Sequence, residues 1–191
     1  MKHVQLRRLI LGAMFLALGL VLPFFTGQIQ QIGNMLLPMH IPVLLCGLIC
    51  GWQYGLSVGL ILPLMRSFLF GMPVFYPSAI AMSVELAAYG FLAGFLFSHA
   101  KWQCIKMLYR CLIAAMLGGR LVWGLAMLLL VGLKGGSFTL AAFFSGAVIN
   151  AVPGIILQLV LIPAIMLALD KTHLVPFRKG CCHGESTYAA E

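Results

Sequence analysis

The chain has 191 residues, 62% of them hydrophobic and 8% charged, with a net charge of +8 and a mean hydropathy of +1.07. A water-soluble domain carries about 25% charged residues, so this composition excludes one and makes lipid the main solvent. The basic excess does not mark a nucleic-acid binder, because it falls in short clusters between apolar runs.

In chain order, the first apolar run covers residues 6–25. Similar runs continue to the end of the chain, so it is not expected to be a removable signal peptide. A polar stretch follows with Gln28, Gln30 and Gln31. Next comes "GNMLLPMHIPVLLCGLICG", residues 33–51, apolar but interrupted by Asn34, His40 and two prolines. Pro38 and Pro42 suit a helix start, where a missing N–H costs little. Residues 38–50 therefore predict a short helix that reaches only partly across the membrane, with Asn34 and His40 in a lid and hinge at its outer end. The third run is 54–70, and 71–77 is a loop by its glycine and two prolines. The fourth is 78–97, followed by a basic loop at 98–106. The fifth is 108–133, broken by the Lys-Gly-Gly-Ser of 134–137. The sixth, 139–169, is long enough to tilt, or to bend at Pro153 and Pro163.

Lys2, Arg7 and Arg8 precede the first span, Lys101, Lys106 and Arg110 lie in mid-chain, and Lys171, Arg178 and Lys179 follow the last. Under the positive-inside rule all three clusters are cytoplasmic. Six spans satisfy this, since four of them precede the central cluster. The expected fold is an all-α integral membrane protein, a compact bundle of six transmembrane helices with both termini cytoplasmic. Residues 1–177 form the membrane domain and 178–191 a polar tail. Cys46, Cys50, Cys104 and Cys111 sit in or beside apolar runs, as small hydrophobes. Cys181, Cys182 and His183 are too few for a closed zinc site of about four ligands, so neither metal nor cofactor is expected.

An ionisable residue inside a span is expensive and is a functional candidate by default. Arg66, Glu85 and Arg120 are such residues, joined by Asn150 and Gln158 in span six. With a rise of about 1.5 Å per residue, Glu85, Arg120 and Asn150 fall within roughly one turn of each other in depth. Tyr89 shares a helix face with Glu85, and Trp123 with Arg120. These groups can line one pocket in the outer half of the bundle, suited to a small anionic or zwitterionic molecule. Structural alternatives stand beside this one. Glu85 and Arg120 can be a simple ion pair, Arg66 can snorkel to the interface, Asn150 can tie helices together, and His40 can cap a helix or bond a loop. The chain lacks a Gly-x-x-x-x-Gly-Lys-Ser/Thr phosphate loop, a Gly-x-Ser-x-Gly and a His-Glu-x-x-His. With one carboxylate inside a span, paired-carboxylate chemistry has no partner, and an enzyme is not expected.

Six spans with a short second one resemble the substrate-binding S components of energy-coupling factor (ECF) vitamin transporters. Three stretches carry the likeness over roughly residues 5–170: Gly12-Ala13-Met-Phe-Leu-Ala17 in span one, the stretch 33–51 followed by "GWQYGLSVGLILPLMRSFLFGMP", and "YPSAIAMSVELAAYGFLAGFLF". Ala13 and Ala17 match the family's small-x-x-x-small motif, a spacing that lets another helix approach closely. The resemblance implies a multi-pass protein of the bacterial plasma membrane that captures a vitamin or precursor from outside. It would then join a transmembrane coupling subunit and two cytosolic ATPases, and topple to deliver its cargo. It implies docking through Gly12, Ala13 and Ala17, and substrate binding by Asn34, Glu85, Tyr89, Arg120, Trp123 and Asn150, with Arg66 and His40 in support. The two arginines favour a carboxylate-bearing substrate, with pantothenate first and folate, a pyrimidine precursor, pyridoxine and riboflavin open. Two other functions remain: a stand-alone proton-coupled carrier relaying through Glu85, and a membrane scaffold that transports nothing.

Overall fold

A computed structural model describes residues 2–25, 38–100, 104–133 and 152–171. The described residues form α1 (Lys2–Phe25), α2 (His40–Cys50), α3 (Trp52–Phe70), α4 (Ile80–His99), α5 (Ile105–Leu133) and α6 (Val152–Lys171), with a kinked turn at Phe75–Ala79 leading into α4. All six expected spans have a counterpart, although 139–151 of the sixth lie outside the described residues. Five of the helices are long and apolar enough to cross a membrane, and α2 is the short one.

The packing is inside-out relative to a soluble bundle. Large apolar side chains stand exposed along α1, α3, α5 and α6, among them Phe68 at 89% and Leu133 at 83%. Continuous apolar exposure of this kind would drive association in water and is satisfied by lipid.

The short helix α2 is the exception. Ten of its eleven residues are buried, with Val43, Leu44 and Cys46 fully enclosed. A helix that is apolar all round belongs in a core. At 11 residues it is about 16 Å long, half the hydrocarbon thickness of about 30 Å. Its start follows the sequence expectation: Pro38 lies before the helix and Pro42 in its first turn. Its end is abrupt. Gly51 has φ of 103°, a conformation that costs little without a Cβ, and α3 starts at the next residue. The break expected over residues 51–53 is thus one residue wide, and α2 and α3 fold back on each other as a hairpin.

Glycines on three helices make this trio compact. A Cβ on Gly47 of α2 would strike the carbonyl of Gly90 in α4. One on Gly55 of α3 would lie 2.6 Å from the Cα of Gly47. One on Gly59 would strike the Leu86 carbonyl, and one on Gly94 would lie 2.7 Å from the Cα of Trp52. Backbones of α2, α3 and α4 are therefore in direct contact, the arrangement that small residues permit in membranes. Helix α1 lies against α2 and α3, α5 against α4, and α6 against α5 and α2.

Candidate functional site

Helix α4 carries Glu85, 1% exposed, on the side facing α2 and α5. Arg120 of α5 brings Nη1 to 3.0 Å from Glu85 Oε1. The contact is an ion pair by distance, but its angles are not those of a hydrogen bond, since Oε1 has no hydrogen-bond partner. From the start of α2, His40 Nε2 stands 3.6 Å from the same oxygen. The Tyr89 ring, one turn after Glu85, meets the His40 ring edge to face with centroids 5.0 Å apart. Its hydroxyl donates to the Met116 carbonyl of α5 at 3.4 Å. Gly119 makes this possible, because a Cβ there would lie 2.8 Å from Tyr89 Cε2. The glycine before Arg120 thus lets the tyrosine lie flat against α5 beside the guanidinium.

The group is left with unmet bonding capacity. Among the described residues, both ring nitrogens of His40 and the Nε and Nη2 of Arg120 are buried and without hydrogen-bond partners. Each such group costs about 1–3 kcal/mol of desolvation that a partner would recover. Buried polar groups are normally hydrogen-bonded, so this cluster has capacity for a water, an ion or a ligand.

The predicted residues divide accordingly. Glu85, Arg120, Tyr89 and His40 come together. His40 departs from its expected role in capping or loop bonding: no side chain caps α2, and its ring faces Glu85. Trp123 lies half-buried one turn further along α5. Arg66 does not snorkel. It is 6% exposed, donates to the Leu20 carbonyl of α1 at 3.1 Å, and has the Phe24 and Phe70 rings 5.6 and 5.7 Å away. Its contacts fix α3 to α1 rather than completing the Glu85 group. Asn34 and Asn150 lie outside the described residues, as does the Cys181, Cys182 and His183 tail.

On α1, Ala13 and Ala17 are exposed beside Leu9, Ile10, Met14 and Leu18. Gly12 departs from that face, being buried with its Cβ position 3.6 Å from Tyr54 Cδ1, because successive helical residues point about 100° apart. At the other end of α2 from His40, a cleft of about 410 Å³ opens between Arg8, Gly51, Trp52, Gly94 and Phe97. It contains none of the predicted substrate residues.

A buried, charged and under-bonded cluster inside a six-helix apolar bundle fits a membrane protein that encloses a polar cargo. The sequence model of the family described as "ECF transporter, substrate-specific component" matches residues 7–166. The chain belongs to that family. The match takes in every described member of the Glu85 cluster and the exposed face of α1. No curated protein and no solved structure matches the chain. As an S component it is a multi-pass membrane protein of substrate transport, which takes a small vitamin-like molecule and works with an ECF module.

Proposed function

We propose that this S component captures a small water-soluble vitamin or vitamin precursor at the outer face of a bacterial plasma membrane, with pantothenate the first candidate. In this proposal its termini and central basic loop are cytoplasmic. It hands its cargo to a transmembrane coupling subunit driven by two cytosolic ATPases, and performs no chemistry of its own. One observation supports the substrate assignment: two buried nitrogens of Arg120 have no hydrogen-bond partner among the described residues, next to a carboxylate and a histidine. A donor-rich interior with a free guanidinium edge suits a molecule bearing an anionic or strongly accepting group.

A thermal-unfolding screen of the purified protein against water-soluble vitamins tests this. Ligands that bind the folded state alone raise the melting temperature by mass action. Pantothenate is expected to give the largest rise. A larger rise with riboflavin or pyridoxine would reassign the substrate, and none with any vitamin would remove the capture function.

The exposed Ala13 and Ala17 provide a second test. Ala13→Leu or Ala17→Leu fills the gap into which a partner helix would fit. Uptake in cells should fall while the ligand-induced rise in melting temperature is unchanged. Loss of binding in these variants would contradict the docking role of this face.

A further inference from the structure

The two charged residues of the cluster have different tasks. Arg120 meets Glu85 through Nη1, while Nε and Nη2 have no partner. Those two nitrogens form one edge of the planar guanidinium, with parallel donors at the spacing of a carboxylate's two oxygens. Glu85 is itself 1% exposed and already faces two groups, Arg120 at 3.0 Å and His40 Nε2 at 3.6 Å.

We propose that Arg120 is the residue that receives the substrate's carboxylate, through its Nε and Nη2 edge, and that Glu85 is a positioning residue that holds Arg120 from behind and does not touch the substrate. This rests on the capture function proposed above. Several features of the chain support it. Arg66, buried in α3, is committed to the Leu20 carbonyl and two rings. Tyr89 is held against α5 by Gly119, next to Arg120, and braces the guanidinium's side of the site. The unpartnered edge is shielded from water, where a charge-assisted pair is strongest. Glu85 also lowers the cost of keeping a guanidinium there while the site is empty.

The test uses the full chain in detergent and three acids with their uncharged twins: pantothenate with panthenol, biotin with biotin amide, and nicotinate with nicotinamide. Ligand-induced shifts in melting temperature are read for the native protein, Arg120→Lys and Glu85→Gln. At least one acid should stabilise the native protein, with its twin about tenfold weaker or worse. Arg120→Lys keeps the charge and the pairing with Glu85 but loses the two-donor edge. Its unliganded melting temperature should stay close to native, while the acid's Kd rises about tenfold or more. Glu85→Gln should melt earlier when empty, yet show a larger acid-induced shift, because the ligand then supplies the missing counter-charge. Equal binding of acid and twin, native-like acid affinity in Arg120→Lys, or loss of the acid shift in Glu85→Gln would overturn the assignment. Stabilisation only by vitamins without a carboxylate would overturn it and leave the capture function standing. No stabilisation by any vitamin would remove both.

Discussion

Replacing Gly90 with valine should abolish the folded bundle, and Gly90→Ala should cost about 3 kcal/mol, the upper end of what overpacking usually costs. The reason is the identity of the obstructing atoms. A Cβ at position 90 would strike the Gly55 carbonyl and lie 2.9 Å from the Gly55 Cα. A side chain in the way can change rotamer, but a helix backbone moves only if the whole helix moves. Displacing α3 from α4 also separates both from α2, because Gly47 and Gly55 share the same contact point. The consequence reaches the site. His40 faces Glu85 only while α2 is held this closely to α4. Gly132→Ala provides the control: nothing lies within 4 Å of its Cβ position, near the end of α5. That change should leave stability unaltered or raise it by up to about 1 kcal/mol. Melting temperatures and monodispersity in detergent measure both, and equal stability of Gly90→Ala and Gly132→Ala would refute the close-packed trio.

The same glycines show where sequence and structure part. Hydropathy located the helices because each is a long apolar run with polar or glycine-rich ends, and lipid leaves few other ways to satisfy a backbone. Counting helical rise was enough to bring Glu85 and Arg120 to one depth, and they meet at 3.0 Å. That worked because α4 and α5 are packed neighbours and each count starts from the same membrane face. The spacing Gly51, Gly55 and Gly59, with Gly90 and Gly94, is the same small-x-x-x-small signal as that of Ala13 and Ala17. Small residues at that spacing can face lipid, a partner protein or a neighbouring helix. Their type alone does not say which. In α1 the spacing faces outward, and in α3 and α4 it forms the core. Arg66 was misplaced for a related reason. Two of its partners, a carbonyl and a ring, are on α1, more than forty residues earlier, and no periodicity within α3 points to them. His40 sat beside prolines that argued for a helix entrance, which is where it is. What its ring faces depends on how deeply α2 is buried, and that follows from the glycine contacts.

Breaking the ion pair should produce the largest effect of any change at the site, and an asymmetric one. Removing one partner of a buried pair costs about 3–5 kcal/mol, because the other charge is left uncompensated. Glu85→Ala should lie at the top of that range. It strands a guanidinium that cannot shed its proton, and the only other described carboxylate, Asp170, lies in the last turn of α6. Arg120→Ala should lie at the bottom, since Glu85 still faces the polar edge of the His40 ring at 3.6 Å. The double variant removes both charges together, so it should cost less than the sum of the two, by about 1–3 kcal/mol of coupling. Equilibrium unfolding in mixed detergent micelles, on the two single variants and the double, gives all three values. Additive losses would mean that the charges do not sense each other and that the 3.0 Å contact contributes nothing to the fold. A larger loss for Arg120→Ala than for Glu85→Ala would mean that His40 does not compensate the carboxylate. If instead the predicted order holds, Glu85 stabilises Arg120 in the empty protein. Under the proposed capture function, a substrate carboxylate would enter a site where Glu85 already balances the guanidinium, which favours release once the bundle is driven to open.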